Sequence, residues 1–334
     1  MEEAVSIIGA GSWGTTLGVI LAKKGLRVSL HSVFNEENLI MQKRRENPFF
    51  LKGIKFPSNL SVDTSLKEVL ENKFVVIAIP VKFIRKILRR IKKNGVSFKE
   101  KLFVSVAKGI EVGSLKTPSQ IIKEELDKVK VAVLSGPTIA KEVIKGVPTT
   151  CVIASEDRKV AKILQNIFTT PRFRVYTHSD VVGVELGGAL KNIIAIACGI
   201  ADGLGFGTNT KAALVTRGLV EIIRLGKRLG TSPSTFMGIG GLGDLVTTCF
   251  SSYSRNRFVG EQVGKGKSLR EVLSKMKMVA EGVETVKSAY QLSKKAGVEM
   301  PITREVFYVL YRNKPPLKAV KDLMERPLKS EKIS

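Results

Sequence analysis

Residues 5–28, VSIIGAGSWGTTLGVILAKKGLRV, decide the fold. The apolar run VSII leads directly into Gly9, Gly11 and Gly14, and a helical pattern follows without a break. Strand, glycine turn and helix in that order are the context in which G-x-G-x-x-G binds a dinucleotide. Gly9 permits the tight turn, Gly11 lets the backbone approach a pyrophosphate, and Gly14 permits close helix-to-strand packing, while the helix N-terminus faces the phosphates. Gly238, Gly240 and Gly243 in GIGGLGD repeat the spacing, but they follow TSPSTFM, which is no strand. Context therefore marks the second copy as a decoy.

Beyond that stretch, the first half alternates β-rich runs with helical patterns. AVSIIG, LRVSLHS, FVVIAIP, KLFVSVAKG, KVAVLSGP and TTCVIAS are the strand candidates, and such alternation predicts a parallel sheet with crossover helices. From about Val181 the pattern changes to long helical periodicity broken by glycine-rich joints, GLGFGTN and GIGGLGD. The expected architecture is α/β: an N-terminal Rossmann-type doubly wound sheet over residues 1–182, then a mostly α-helical domain over residues 183–334. A chain of 334 residues suits two such domains. No internal repeat is evident, and the end, PLKSEKIS, reads as disordered.

The net charge of +25 suits nucleic acid, an anionic membrane surface or small anionic ligands. The excess is spread: residues 1–184 carry 31 basic and 17 acidic side chains, and residues 185–334 carry 24 and 13. No basic arm and no helix-turn-helix pattern stands out, so no nucleic-acid partner is expected. The densest segment, KFIRKILRRIKK at 82–93, places Phe83, Ile84, Ile87, Leu88 and Ile91 on one helical face and its cations on the other. That is the pattern of a surface helix, with weak peripheral membrane contact as the lesser reading. The acidic start, MEEAVSIIGAG, is unlike a secretory signal, and no run of 18 apolar residues occurs, which predicts a cytoplasmic protein. Cys151, Cys198 and Cys249 lack CxxC or histidine spacing and read as buried free thiols, with no metal site.

The second strand, RVSLHS, should end in an acid for the ribose 2′-hydroxyl or near an arginine for a 2′-phosphate. It runs instead into His31, Ser32, Val33 and Phe34, so NAD and NADP both remain open, with Ser32 a candidate donor to a 2′-phosphate. Later strand ends bring Pro80, Lys108 and Ser135-Gly136-Pro137-Thr138 to the carboxyl edge, where doubly wound sheets keep ligands. A lysine after a strand and SGPT as a helix start also have ordinary structural readings.

Hydride transfer to a carbonyl needs a proton donor active near neutral pH, and histidine is the default. His31 sits at the adenosine side and His178 precedes the helical domain, which leaves a lysine of lowered pKa. GGALKNIIAIACG, residues 187–199, sets Lys191 in an otherwise apolar helix. Gly187, Ala195 and Cys198 share its face, and such small neighbours are expected to leave room for a ligand. A catalytic and a structural lysine both stand at this point. Asp244, after its glycine-rich joint, is a candidate to orient an ammonium or accept from a substrate hydroxyl. Arg255, between Ser254 and Asn256, offers forked donors for a phosphate or carboxylate, or forms an ordinary surface loop.

GAGSWGT, VAKGIE, SGPTIAKE, GVELGGALKNIIAIACGIADGLGFGTNTKAALVTRGL, GIGGLGDLVTTC, SRNRFVG and VAEGVETV together resemble the bacterial NAD(P)-dependent glycerol-3-phosphate dehydrogenases. They occur in family order and spacing from about residue 5 to 312. The resemblance implies reversible reduction of dihydroxyacetone phosphate to sn-glycerol 3-phosphate with NAD or NADP, supply of glycerophospholipid synthesis, and a homodimer. It implies that Lys191 is the proton acceptor in oxidation and the donor in reduction. It assigns substrate contacts to Lys108, Gly136, Thr138, Lys191, Asp244, Ser254, Arg255 and Asn256. Cofactor contacts fall to Ser12, Trp13, Phe50, Lys108, Ala140, Arg255, Val279 and Glu281, beside Gly9, Gly11 and Gly14. Val33 stands at a cofactor-contacting position where many members carry Arg or His, which weakens the expectation of a strong NADPH preference. The rival readings are a related dehydrogenase for another anionic hydroxy compound and an NAD(H)-sensing DNA-binding regulator.

Overall fold

In the computed structural model, residues 4–331 are described apart from 94, 96, 277 and 329. Residues 1–3 of the acidic start, and residues 329 and 332–334 of the PLKSEKIS end, lie outside the described residues. The chain divides into two compact units. One runs to Ala107 and resumes over Pro118–Val181; the other takes Lys108–Thr117 and everything from Val182. The segment Lys108–Thr117 thus groups with the helical unit although it follows a strand of the sheet, an excursion that the 182/183 division did not include.

The first unit is built from β1 (Ala4–Ile8), α1 (Ser12–Lys23), β2 (Arg27–His31), α2 (Asn35–Arg44), β3 (Leu60–Val62), α3 (Leu66–Val69), β4 (Phe74–Ile77), α4 (Val81–Lys92), β5 (Leu102–Ser105), α5 (Pro118–Leu126), β6 (Lys130–Ser135), α6 (Ala140–Val143), β7 (Thr149–Ala154), α7 (Arg158–Phe168) and β8 (Phe173–His178). Its sheet runs in the order β3-β2-β1-β4-β5-β6-β7-β8, the reversal beside β1 being the doubly wound arrangement. Val5 and Ile7 enter one core with Leu17, Val28 and Leu30, while Ile8 enters the other with Val75, Ile77, Phe103 and Ile84. Because both faces are covered, β4 and β5 are buried at every residue, as their unbroken apolar runs require.

All six expected strands form. The sheet departs from the parallel expectation at one place: β6 and β7 pair antiparallel, Val133 opposite Ala154, and β8 then runs parallel to β7. The link between β6 and β7 holds only the single turn of α6, too little helix to carry the chain back across the sheet. On α4, Ile84, Ile87, Leu88 and Ile91 are buried as expected, but Phe83 is 42% exposed. It lies about a quarter turn from the centre of that stripe, with Lys82 Nζ 4.9 Å from its ring centroid. Two α4 cations are tied to α5: Arg85 Nη1 lies 2.5 Å from Glu125 Oε1 and Arg89 Nη2 3.1 Å from the same oxygen.

The second unit comprises α8 (Val181–Gly203), α9 (Thr208–Arg228), α10 (Pro233–Met237), a π-helical turn (Ile239–Gly243), α11 (Asp244–Phe250), α12 (Arg255–Gly264), α13 (Leu269–Ser274), α14 (Glu281–Ala296), α15 (Pro301–Tyr311) and α16 (Pro316–Met324). α8 is long and apolar enough to cross a membrane, but 94% of its most apolar window is buried within the protein. Its glycines admit α12: a Cβ on Gly199 would stand 2.0 Å from the Arg257 carbonyl oxygen, and one on Gly260 would stand 2.0 Å from that of Ile196. Asp202 seals the contact, accepting from Arg257 Nε at 2.6 Å and pairing with Lys211 Nζ at 2.9 Å. Glu221 of α9 is buried and caps α15, accepting from Ile302 N, Thr303 N and the Thr303 hydroxyl. Burial pushes its carboxyl up to about 7.

Candidate active site

In the sheet unit the glycine turn leaves β1 for α1. Gly9 has φ +117°, and a Cβ there would lie 2.4 Å from the Ala78 carbonyl oxygen; one on Gly14 would lie 1.9 Å from Gly9 O. The turn therefore accepts no side chain at either position. At Gly11, the N-cap of α1, a Cβ would meet nothing within 4 Å, and no side chain caps the helix. The first-turn N–H groups lie at the carboxyl edge of the sheet beside open space, the arrangement that holds a phosphate. Trp13 Nε1 is a buried donor with no hydrogen-bond partner among the described residues. These features fit a dinucleotide. The second glycine triplet, by contrast, follows α10 and forms the π-helical turn.

Around that turn, the Ser12 hydroxyl donates to Phe50 O at 3.2 Å, and Asn47 Oδ1 accepts from Phe50 N at 3.1 Å. Val33 is half-buried after β2. The Ser32 hydroxyl donates to the Glu37 carboxylate, so its proton is already committed, contrary to its expected use on a 2′-phosphate. Gly136 and Thr138 follow β6, the Thr138 hydroxyl donating to Gly136 O at 3.1 Å, and Ala140 opens α6. SGPT is thus not the cap of that helix, whose N-cap is Ile139.

In the helical unit, Lys191 and Lys108 converge on one carboxylate. Lys191 Nζ donates to Asp244 Oδ1 at 2.7 Å and Lys108 Nζ to Asp244 Oδ2 at 2.7 Å. Lys191 and Asp244 are buried. Burial pushes the Lys191 ammonium down to about 8; the charge of Asp244 opposes that shift and the charge of Lys108 adds to it. Thr248, one turn after Asp244, donates to Asp244 O at 2.7 Å and accepts from Lys191 Nζ. The ammonium is thereby held at a fixed position.

Gly187 does not leave the expected room for a ligand. A Cβ there would stand 2.9 Å from Gly240 O, so the space is filled by the π-helical turn that delivers Asp244 to Lys191. Ala195 and Cys198 are likewise core residues, and Cys151, Cys198 and Cys249 are all buried, with no disulfide among them.

A second network stands beside the lysines. Asn192 Nδ2 donates to Lys108 O at 3.3 Å, Asn256 Nδ2 to Asn192 Oδ1 at 2.8 Å, and Gly282 N to Asn256 Oδ1 at 3.0 Å. Lys108 N donates to Glu281 Oε2 at 3.2 Å. Ser254 caps α12, accepting from Arg257 N, and Arg255 Nη1 donates to Val279 O at 2.7 Å. Lys108, Lys191, Asp244, Ser254, Arg255, Asn256, Val279 and Glu281 therefore all lie in this unit; hydrogen bonds join Lys108, Lys191, Asp244, Glu281 and, through Asn192, Asn256 in one network, and Arg255 to Val279 separately. Thr248 and Asn192 were not singled out in the sequence. The offset of four from Asp244 to Thr248 was the available signal, since it places both on one helix face.

A glycine turn of this build on a doubly wound sheet, followed by a helical unit that holds a desolvated lysine against a carboxylate, defines a nicotinamide-dependent dehydrogenase. The family described as NAD-dependent glycerol-3-phosphate dehydrogenase matches by its N-terminal model over residues 4–161 and its C-terminal model over residues 180–321. The chain belongs to that family. It is 50% identical to the glycerol-3-phosphate dehydrogenase [NAD(P)+] of Citrifermentans bemidjiense, covering 100% of both chains. With the enzyme of that name from Chlorobium phaeobacteroides it shares 49% identity over 98% of this chain and 99% of the other. The crystal structure of glycerol-3-phosphate dehydrogenase from Coxiella burnetii superposes with TM-score 0.93 at 37% identity, over 97% of this chain and 99% of that one.

Proposed function

We propose that this chain catalyses the reversible NAD(P)H-dependent reduction of dihydroxyacetone phosphate to sn-glycerol 3-phosphate. Lys191 is the proton donor in reduction and the acceptor in oxidation. The observation that carries this reading is the buried Lys191 ammonium, fixed on Asp244 and Thr248 with a pKa of about 8. An acid–base group is most effective when its pKa lies near the working pH.

When bound, the cofactor supplies or takes up a hydride. Every other task falls to the chain. In the sheet unit, Gly9, Gly11, Ser12, Trp13, Gly14, Val33, Phe50 and Ala140 are the proposed dinucleotide contacts. In the helical unit, Lys191 passes its proton to the carbonyl oxygen of the substrate. Asp244 orients the ammonium, while Lys108 keeps it acidic enough to release its proton. Arg255 and Ser254 bind the phosphate, so that binding remote from the carbonyl fixes the reacting geometry. Asn256 acts by holding Asn192 and the start of α14. The product's fit to glycerophospholipid synthesis, a cytoplasmic location and a homodimer belong to the same proposal; sedimentation at twice the monomer mass is the expected result for the last.

Initial rates with dihydroxyacetone phosphate, with NADH and NADPH in parallel and 2-keto acids as competing substrates, test the reading. Lys191→Ala should lower turnover by about two orders of magnitude or more, the usual worth of a positioned general acid. Near-full turnover by that variant rejects the assignment. Preference for a 2-keto acid would favour the rival dehydrogenase.

A further inference from the structure

The turn after β2 stands beside the glycine turn. Ile8 pairs with His31, and Gly9 N donates to His31 O at 2.8 Å. In a doubly wound sheet this strand end serves the adenosine ribose, where an acid accepts from a free 2′-hydroxyl and an arginine takes a 2′-phosphate. Residues 32–35, Ser-Val-Phe-Asn, provide neither. The acid comes instead from the first turn of α2, where Glu37 accepts from the Ser32 hydroxyl.

The loop is closed on itself. Asn38 Oδ1 accepts from Ser32 N at 2.7 Å, Asn38 Nδ2 donates to Ser32 O at 2.8 Å, and Phe34 N donates to the Ser32 hydroxyl at 3.3 Å. Glu37 is half-buried, and the Ser32 hydroxyl holds its carboxylate against the loop. The N-terminus of α2, which would otherwise attract an anion, already carries Glu36 and Glu37. Against these two acids stands Arg90 of α4, an exposed side chain whose charge reaches His31.

We propose that Glu37, positioned by Ser32, makes this chain select the dinucleotide with a free 2′-hydroxyl over its 2′-phosphorylated counterpart. The inference rests on the dinucleotide-binding reading of the sheet unit. A carboxylate accepts a hydrogen bond from a hydroxyl and repels a phosphate, so one residue both favours NADH and disfavours NADPH.

Binding is measured without turnover, by fluorescence titration of the full-length protein with NADH and NADPH. The expected result is at least tenfold tighter binding of NADH. Glu37→Gln, which keeps the side-chain shape, should narrow that ratio several-fold, chiefly by tightening NADPH, while Arg90→Ala should leave the preference for NADH in place. Unchanged thermal melting of both variants confirms that the fold is intact. Equal or tighter NADPH binding by the wild type, or an unchanged ratio in Glu37→Gln, overturns the proposal. If neither nucleotide binds, the dinucleotide-binding reading itself falls, and this inference with it.

Discussion

Lys191 owes its acidity to burial, and two neighbours adjust it in opposite directions that experiment can separate. Asp244 raises its pKa and Lys108 lowers it, both acting on a side chain that burial has already pushed down. If Lys191 is the proton acceptor, as proposed, it must be neutral in glycerol 3-phosphate oxidation, so kcat/KM should rise with pH through about 8 and level off above it. Lys108→Met removes the repelling charge, and the rising limb should move to higher pH. Asp244→Asn removes the attracting charge, and the limb should move to lower pH. The pH–rate profiles of kcat/KM check this, because the position of the limb is independent of how much rate each variant loses. Limbs that move together, or not at all, would break the link between this cluster and the titrating group. Lys191 and Asp244 were legible in the sequence as a charge in an apolar helix and an acid after a glycine joint. Thr248 and Asn192 were not, because a threonine or asparagine inside a helix carries no pattern until its partners are placed.

At the level of elements, the glycines of α8 turn out to serve packing. Gly199 and Gly260 set α8 and α12 backbone to backbone, which brings Asn256 within reach of Asn192. Gly260→Val would force the helices apart, and with a Cβ 2.0 Å from backbone the cost should fall at the upper end of the ~1–3 kcal/mol usual for overpacking. Gly207→Ser is the contrasting change: a Cβ there meets nothing within 4 Å, φ is −88°, and the hydroxyl gains a capping role on α9. Urea denaturation should show a large loss for the first variant and none for the second. The same distinction explains which elements could be read in advance. β1, β4 and β5 announce themselves because both their faces are buried. β3 is three residues long at the sheet edge, and β8, FRVYTH, alternates apolar with exposed polar residues, so neither carries an unbroken apolar run. The excursion of Lys108–Thr117 into the helical unit is invisible locally, since its contacts, such as Ile110 O with the Ser288 hydroxyl, span more than a hundred residues.

For the whole molecule, two buried groups make stability depend on pH in opposite directions. Glu221 titrates at about 7 when folded, against 4.5 in the ordinary case. Between those values the folded state holds a proton that the unfolded state has lost, so its contribution is fully present below pH 4.5 and falls away as pH rises through about 7. Lys191 titrates at about 8 against 10.5, so above pH 8 the unfolded chain binds the extra proton, and stability rises with pH towards 10.5. Each shift corresponds to about 3 kcal/mol. Together they place the least favourable contribution between about pH 7 and 8, the range in which the proposed acid–base role of Lys191 would operate. A charge of +25 adds its own repulsion at low pH, which a comparison of variants removes. Melting temperatures of wild type and Glu221→Gln should diverge between pH 4.5 and 7 and run parallel above that. Those of wild type and Lys191→Met should converge from pH 8 upward, the variant being the more stable at pH 7. Parallel curves throughout would mean that neither side chain is held against its preferred charge state, and the proton-transfer role of Lys191 would lose its physical basis.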